Sequence, residues 1–329
     1  MSGTRSPSPR GPVTEAIIVA HGQPLDPQAG EDQLKALAER IAHALPGWTI
    51  RSATLAAPGV LEQELENFTG VPYVVPVFMA DGWFTKKALP DRLGDRKVHQ
   101  LSPLGTFPGL PHQSFKLLKQ EAEQRGWCFN SCDIMIAAHG SETGPAAAEC
   151  ALYFARRLQR LTPFKKKIRT GFLSQDPFLA RVARFSTPRT LLLPFLAGTG
   201  PHLTVDIPQE LEEGRFQGVL LPSIGEAAFV PGLIAQSLKN AWRRTYGFDP
   251  MDRSRLAVSF APPPISSTEG QTGDRIGSDL LDSATQYSGA SAKPTFAATI
   301  RKLKNAVRDF FCKPWATRRK DGLNTPQRF

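Results

Sequence analysis

Apolar residues fall along this chain in short runs divided by amphipathic stretches, and the alternation holds from residue 15 to residue 247. The runs at 15–20 and 73–77 are nearly continuously apolar, as strands buried on both faces are. Between them, Leu34, Leu37, Ile41 and Leu45 recur at helical spacing within 31–45. The same pattern predicts strands at 49–53 and 98–101 and helices at 59–67 and 112–125. From residue 133 the order returns, with strands at 133–138, 167–172, 190–194 and 218–221 and helices at 146–160, 177–183, 204–213 and 231–246. Strand and helix alternate throughout, which predicts two tandem α/β units, each with a mainly parallel sheet between helices.

The two units are related residue by residue. Ala20-His21-Gly22 recurs as Ala138-His139-Gly140, 118 positions on, and Leu55, Leu61, Pro76, Gly82 and Pro90 return at the same offset as Leu173, Leu179, Pro194, Gly200 and Pro208. A duplicated half-chain explains this most simply. The boundaries that follow are an N-terminal segment at 1–12, a first unit at 13–128 and a second at 129–249. Beyond them the composition changes. Residues 250–293 are rich in Pro, Ser, Gly and Thr and predict a disordered linker. In 294–313, Phe296, Ile300, Leu303, Val307 and Phe310 lie opposite Arg301, Lys304 and Arg308 as a basic amphipathic helix, followed by a basic tail at 314–329. Three docking surfaces suit such a helix: the protein's own body, a partner protein or an anionic membrane.

Charge sharpens this division. The chain carries a formal +10, but residues 250–329 hold 13 Lys and Arg against 7 Asp and Glu, leaving the body at only +4. The high isoelectric point therefore belongs largely to the tail and does not mark the body as a nucleic-acid binder. No apolar run approaches the roughly 20 residues a membrane span needs, and the first twelve residues lack the apolar core of a secretory signal. The expectation is a soluble, cytoplasmic protein. Its four cysteines form no metal-ligand spacing and are expected to be reduced thiols.

In a parallel α/β sheet, ligands gather outside the carboxyl ends of the strands. His21 and His139 both stand where an apolar strand ends, and His202 follows the strand at 190–194 within a glycine-rich stretch that includes Gly200. His139 and His202 are therefore expected in one crevice. A facing pair of neutral imidazoles can ligate a borderline divalent ion such as Co2+, Fe2+ or Ni2+, and one of them can accept a proton near neutral pH. The repeat makes the two halves chemically unequal, because Phe84 stands where the second half has His202. His21 is thus expected to be left alone in a wall of the cleft. No G-x-G-x-x-G or P-loop follows either first strand, so no nucleotide is expected.

Three segments resemble the sirohydrochlorin cobaltochelatase/ferrochelatase family, the class II tetrapyrrole chelatases. They are Ile17-Ile18-Val19-Ala20-His21-Gly22, Thr54-Leu55-Ala56-Ala57-Pro58-Gly59-Val60-Leu61-Glu62 and, most specifically, Gly200-Pro201-His202-Leu203-Thr204-Val205-Asp206-Ile207-Pro208. The resemblance spans 13–247 as two tandem units. It implies a chelatase-like fold with two Rossmann-like halves facing a cleft. It also implies ATP-independent insertion of Co2+ or Fe2+ into sirohydrochlorin or a related acidic tetrapyrrole, in siroheme or cobalamin synthesis. By motif, His139 and His202 are the metal-contacting and proton-accepting residues, with His21, Phe84, Gln175, Gly200 and Asp206 against the substrate. Where the family often has a metal-binding or proton-removing glutamate, this chain has Gln175, whose amide cannot accept a proton. Asp176 or Asp206 is a candidate replacement, although Asp206, ahead of Ile207-Pro208, reads first as a helix cap. Lys86, Lys87, Arg181 and Arg184 are candidates for the carboxylates of the macrocycle. The alternative is a chelatase-like protein that binds a tetrapyrrole or metal without turnover and docks through its C-terminal helix.

Overall fold

The computed structural model describes residues 14–24, 26–162 and 168–247, and the predicted N-terminal segment, linker, basic helix and tail lie outside them. Among the described residues, eight strands form two wholly parallel four-stranded sheets. The first has the order β2-β1-β3-β4, from β1 (Glu15–Ala20), β2 (Thr49–Thr54), β3 (Tyr73–Pro76) and β4 (His99–Gln100). The second has the order β6-β5-β7-β8, from β5 (Asp133–Ala138), β6 (Arg169–Phe172), β7 (Thr190–Phe195) and β8 (Val219–Leu220). The predicted α/β class is realised, and the two sheets share a register in which Ile18 pairs with Val75 and Ile136 with Leu193.

Helices α1 (Pro27–Ala44), α2 (Val60–Glu66), α3 (Leu89–Leu93) and α4 (Leu110–Gln124) serve the first sheet, and α5 (Ala146–Leu161), α6 (Leu179–Ala183), α7 (Ile207–Glu213) and α8 (Val230–Tyr246) the second. Apolar spacing alone starts α1 too late. The helix begins at Pro27, whose fixed φ suits a first turn, and the Asp26 carboxylate accepts from Ala29 N at 3.1 Å. Two segments depart further from the prediction. The stretch at 204–213 is a π-helical turn, His202–Asp206, running into α7, and its repeat-mate is a π-helical turn, Phe84–Ala88, running into α3. No periodicity announced the first-half copy, because a single widened turn is too short to show one.

Alternation along the strands divides the core. Ala16, Ile18, Tyr73 and Val75 face the same apolar cluster as Ile134, Ile136, Leu191 and Leu193, and that cluster takes in the buried faces of α1, α4, α5 and α8. The helices cross over in pairs, α1 against α8 and α4 against α5, so each half closes the core of the other. The opposite face of the second sheet, with Met135, Ala137 and Leu192, packs on α6 and α7. Pro76 and Pro194 sit inside strands at no hydrogen-bonding cost, because the two-residue β4 and β8 pair only with residues ahead of them. This shared core fixes how the carboxyl ends of the two sheets are presented. Among the described residues, no helix is long and apolar enough to cross a membrane.

Candidate functional site

The site begins where β1 and β5 end. Gly22 and Gly140 turn the chain out of the sheet with φ of +78° and +70°, a region open to glycine, and a Cβ at Gly140 would lie 2.8 Å from Gln175 Cγ. The turn aims the preceding imidazole outward. His21 Nδ1 lies 2.8 Å from its neighbour's carbonyl oxygen, Gly22 O, and His139 Nδ1 lies 2.9 Å from Gly140 O. A carbonyl oxygen can only accept, so each ring carries its proton on Nδ1 and its lone pair on Nε2. Ser174 Oγ stands a further 3.5 Å from His139 Nδ1.

His202 opens the π-helical turn after β7, and its ring centroid is 4.5 Å from that of His139, with the planes at 76°. The expected pair is therefore assembled. Asp206 does not cap the following helix, as its position suggested. Its backbone is already helical, at φ −67° and ψ −47°, and makes no side-chain cap bond, whereas capping requires an extended residue. Its Oδ2 instead accepts from His202 Nδ1 at 2.6 Å. All three imidazoles thus have Nδ1 engaged by an oxygen and the basic nitrogen at Nε2.

The first half repeats this geometry without its chemistry. His21 and Phe84 have ring centroids 4.5 Å apart at 89°, and Phe84 stacks on Phe78 at 5.8 Å and 9°. Packing is kept while the second donor is lost. The halves meet at their loops: Gln23 Nε2 donates to Thr199 O at 3.3 Å, Gly200 lies beside the same Gln23 amide, and Gly82 lies against Ala146. Burial holds His21 below the ordinary imidazole value of 6.5, its hydrogen bond to the Gly22 carbonyl opposes the shift, and the nearby His202 ring adds to it. Within its own half, the ring that His21 meets edge-on is Phe84.

That depressed value has a consequence for stability. The unfolded chain takes up a proton at its ordinary value, before the folded His21 does, so the contribution is complete above pH 6.5 and is lost as pH falls through the folded value. Melting temperatures measured at pH 7.5 and 5.5 are expected to fall further for the wild type than for His21→Gln. Equal falls would show that the burial of His21 is not felt.

The other sequence candidates find plainer roles. Gln175 Oε1 accepts from Ser141 N at 2.8 Å, so the amide braces the turn behind His139. Asp176 is engaged by Arg181 at 2.9 Å, Lys86 by Asp81 at 3.2 Å and Lys87 by Asp91 at 2.8 Å, all in exposed pairs, while Arg184 lies exposed at the end of α6. The sequence reading missed Glu226, whose Oε1 accepts from Thr199 N at 3.2 Å and steadies the glycine-rich loop. It also missed Trp83, 48% exposed and adjoining Phe84; the available signal was that its repeat-mate is Pro201. Among the described residues, Cys128, Cys132 and Cys150 form no disulfide. Among the described residues, no three His, Cys, Asp or Glu side chains converge as a preformed metal cage. Two facing neutral donors suit an ion that is passed on rather than kept.

Comparison with known proteins points the same way. A family model described as CbiX matches residues 133–241, the half that holds the imidazole pair. The solved CbiX described as the terminal enzyme for biosynthesis of siroheme in denitrifying bacteria is 39% identical, with a TM-score of 0.63, over 69% of this chain and 99% of that one. SirB from Bacillus subtilis, solved with Fe3+, shares the fold at 18% identity and a TM-score of 0.57, over 72% of this chain and 99% of its own. A probable sirohydrochlorin cobaltochelatase of Halobacterium salinarum is 21% identical over 59% of this chain and 75% of its own length.

Proposed function

This chain belongs to the CbiX family, and on that premise we propose that it is a metal chelatase of the lyase type that inserts Co2+ or Fe2+ into sirohydrochlorin without a nucleotide. The observation that carries this reading is the His139–His202 pair, with rings 4.5 Å apart and each Nδ1 tied to an oxygen. Insertion must shed water from the ion, bring it over the macrocycle and remove two pyrrole protons, so that a divalent ion and a doubly protonated ring give the metallated ring and two protons. Neutral imidazoles ligate such an ion without gripping it as thiolates would, and an emptied Nε2 then accepts a proton. At His202 the Asp206 carboxylate lies where the resulting positive charge is compensated. The shared core holds both loops in place, which supplies proximity and orientation for a large planar substrate.

The test is anaerobic spectrophotometry of sirohydrochlorin with Co2+ and, separately, Fe2+. A protein-dependent rate for either ion is expected. A second reading, a tetrapyrrole binder without turnover, draws on one observation: the Gln175 oxygen is committed to Ser141 N, so no carboxylate occupies that place. Pigment that binds, with no rate above the uncatalysed reaction, would establish the binder. Gln175→Glu keeps an acceptor for Ser141 N and adds a carboxylate oxygen beside the turn. Its insertion rate is expected to equal or exceed the wild type, and a large fall would mean that the amide donor itself is needed.

A further inference from the structure

At the turn after β3 the first half groups an indole and a phenyl ring, Trp83 and Phe84, where the matching turn of the second half has Pro201 and His202. Phe84 is stacked on Phe78, met edge-on by His21 at 4.5 Å and met edge-on by Trp83 at 5.1 Å and 78°. His21 and Phe78 therefore back Phe84, and Trp83 forms the outer edge of the group, 48% exposed. A large indole left half in water on a structured turn stands out, since tryptophan is highly buried on average. Its place in the fold is defined by the repeat. Trp83 immediately precedes the π-helical turn whose second-half copy starts with His202, and its repeat-mate is Pro201, which has no π face. On the second-half turn, Val205 is 46% exposed, so each of the two turns presents an apolar side chain.

Charge accompanies the rings. Lys86 and Lys87 follow on the same turn with side chains 66% and 63% exposed. Their partners, Asp81 and Asp91, are held in exposed pairs of the kind worth about 0–1 kcal/mol, which a ligand carboxylate can displace. A half-exposed indole followed by two exposed lysines on the next turn fits one class of occupant, a planar conjugated ring that carries carboxylates at its rim.

We propose that Trp83, backed by Phe84, is the stacking platform for the tetrapyrrole, so that the first half positions the macrocycle while the second half handles the metal. This rests on the function proposed above. Trp83 is a positioning residue, and its contribution is to binding shared by substrate and transition state. Its loss should therefore raise KM and leave kcat nearly unchanged.

The experiment titrates metal-free sirohydrochlorin anaerobically into the full chain, following pigment absorbance for Kd and tryptophan emission for contact. Trp83→Ala is expected to weaken binding roughly 3- to 10-fold, as removal of an aromatic pair does, and Trp83→Phe to restore most of the affinity. Both variants should lose part of the emission quenching that pigment produces in the wild type. Because Trp83 lies outside the core, circular dichroism should match the wild type. Wild-type affinity and quenching in Trp83→Ala would overturn the platform and leave the chelatase reading intact. A wild type that binds no sirohydrochlorin would overturn both.

Discussion

His139→Ala and His202→Ala are each expected to lower the rate of metal insertion by at least about 100-fold, with pigment binding retained. The two rings form one unit, with centroids 4.5 Å apart, and removal of either leaves one imidazole where the proposed insertion uses two. Among the described residues, no group of three His, Cys, Asp or Glu side chains forms a metal cage around the two rings. Effects within such a unit do not add, so the double variant should be little slower than either single one. His21→Ala provides the contrast. Its ring neighbour is Phe84, and its loss should cost much less than the loss of either second-half histidine. Anaerobic initial rates with Co2+ and Fe2+, together with pigment titration, decide the matter. Equal activity in the wild type and both single variants would remove these residues from the chemistry. A His21→Ala defect as deep as theirs would show that the first half takes part in it.

Much of this arrangement was legible in the residues alone. The strands follow from apolar runs, the two-sheet architecture from their alternation with helices, and the pairing of His139 with His202 from their places beyond the carboxyl ends of neighbouring strands. What the offset could not supply was the local shape that follows β3 and β7. A π-helical turn is one widened turn without a periodic signature, and it decides where Phe84, His202 and Asp206 point. Asp206 was misread for that reason. A residue before Ile-Pro resembles a cap unless the backbone ahead of it is already helical. The meeting of the two halves was equally hidden, because the crossing of α1 with α8 and of α4 with α5 joins residues distant in sequence and leaves no spacing to read. Trp83 was passed over because an isolated tryptophan beside a glycine reads as ordinary loop until its exposure is known.

Asp206→Ala is expected to lower insertion by about 10- to 100-fold, the range found when the hydrogen-bond partner of a metal-handling histidine is removed. The carboxylate accepts from His202 Nδ1 at 2.6 Å, a bond that restrains the ring and favours the tautomer with its lone pair on Nε2. The repeat supports coupling between the two residues. The first-half equivalents of His202 and Asp206 are Phe84 and Ala88, so the half without the imidazole also lacks its acceptor. A purely structural role predicts different results. Loss of a helix cap would lower stability by about 1 kcal/mol and leave the chemistry alone, yet no cap bond is present to lose. The melting temperature of Asp206→Ala should therefore stay near that of the wild type while the rate falls. Nitrogen-15 chemical shifts of His202 should show the ring losing its single Nδ1–H tautomer and sampling both. Asp206→Glu, which can reach Nδ1 from a different angle, should recover part of the rate. A variant that keeps wild-type turnover and a single tautomer would show that the His202 ring is oriented by the turn itself and not by the carboxylate.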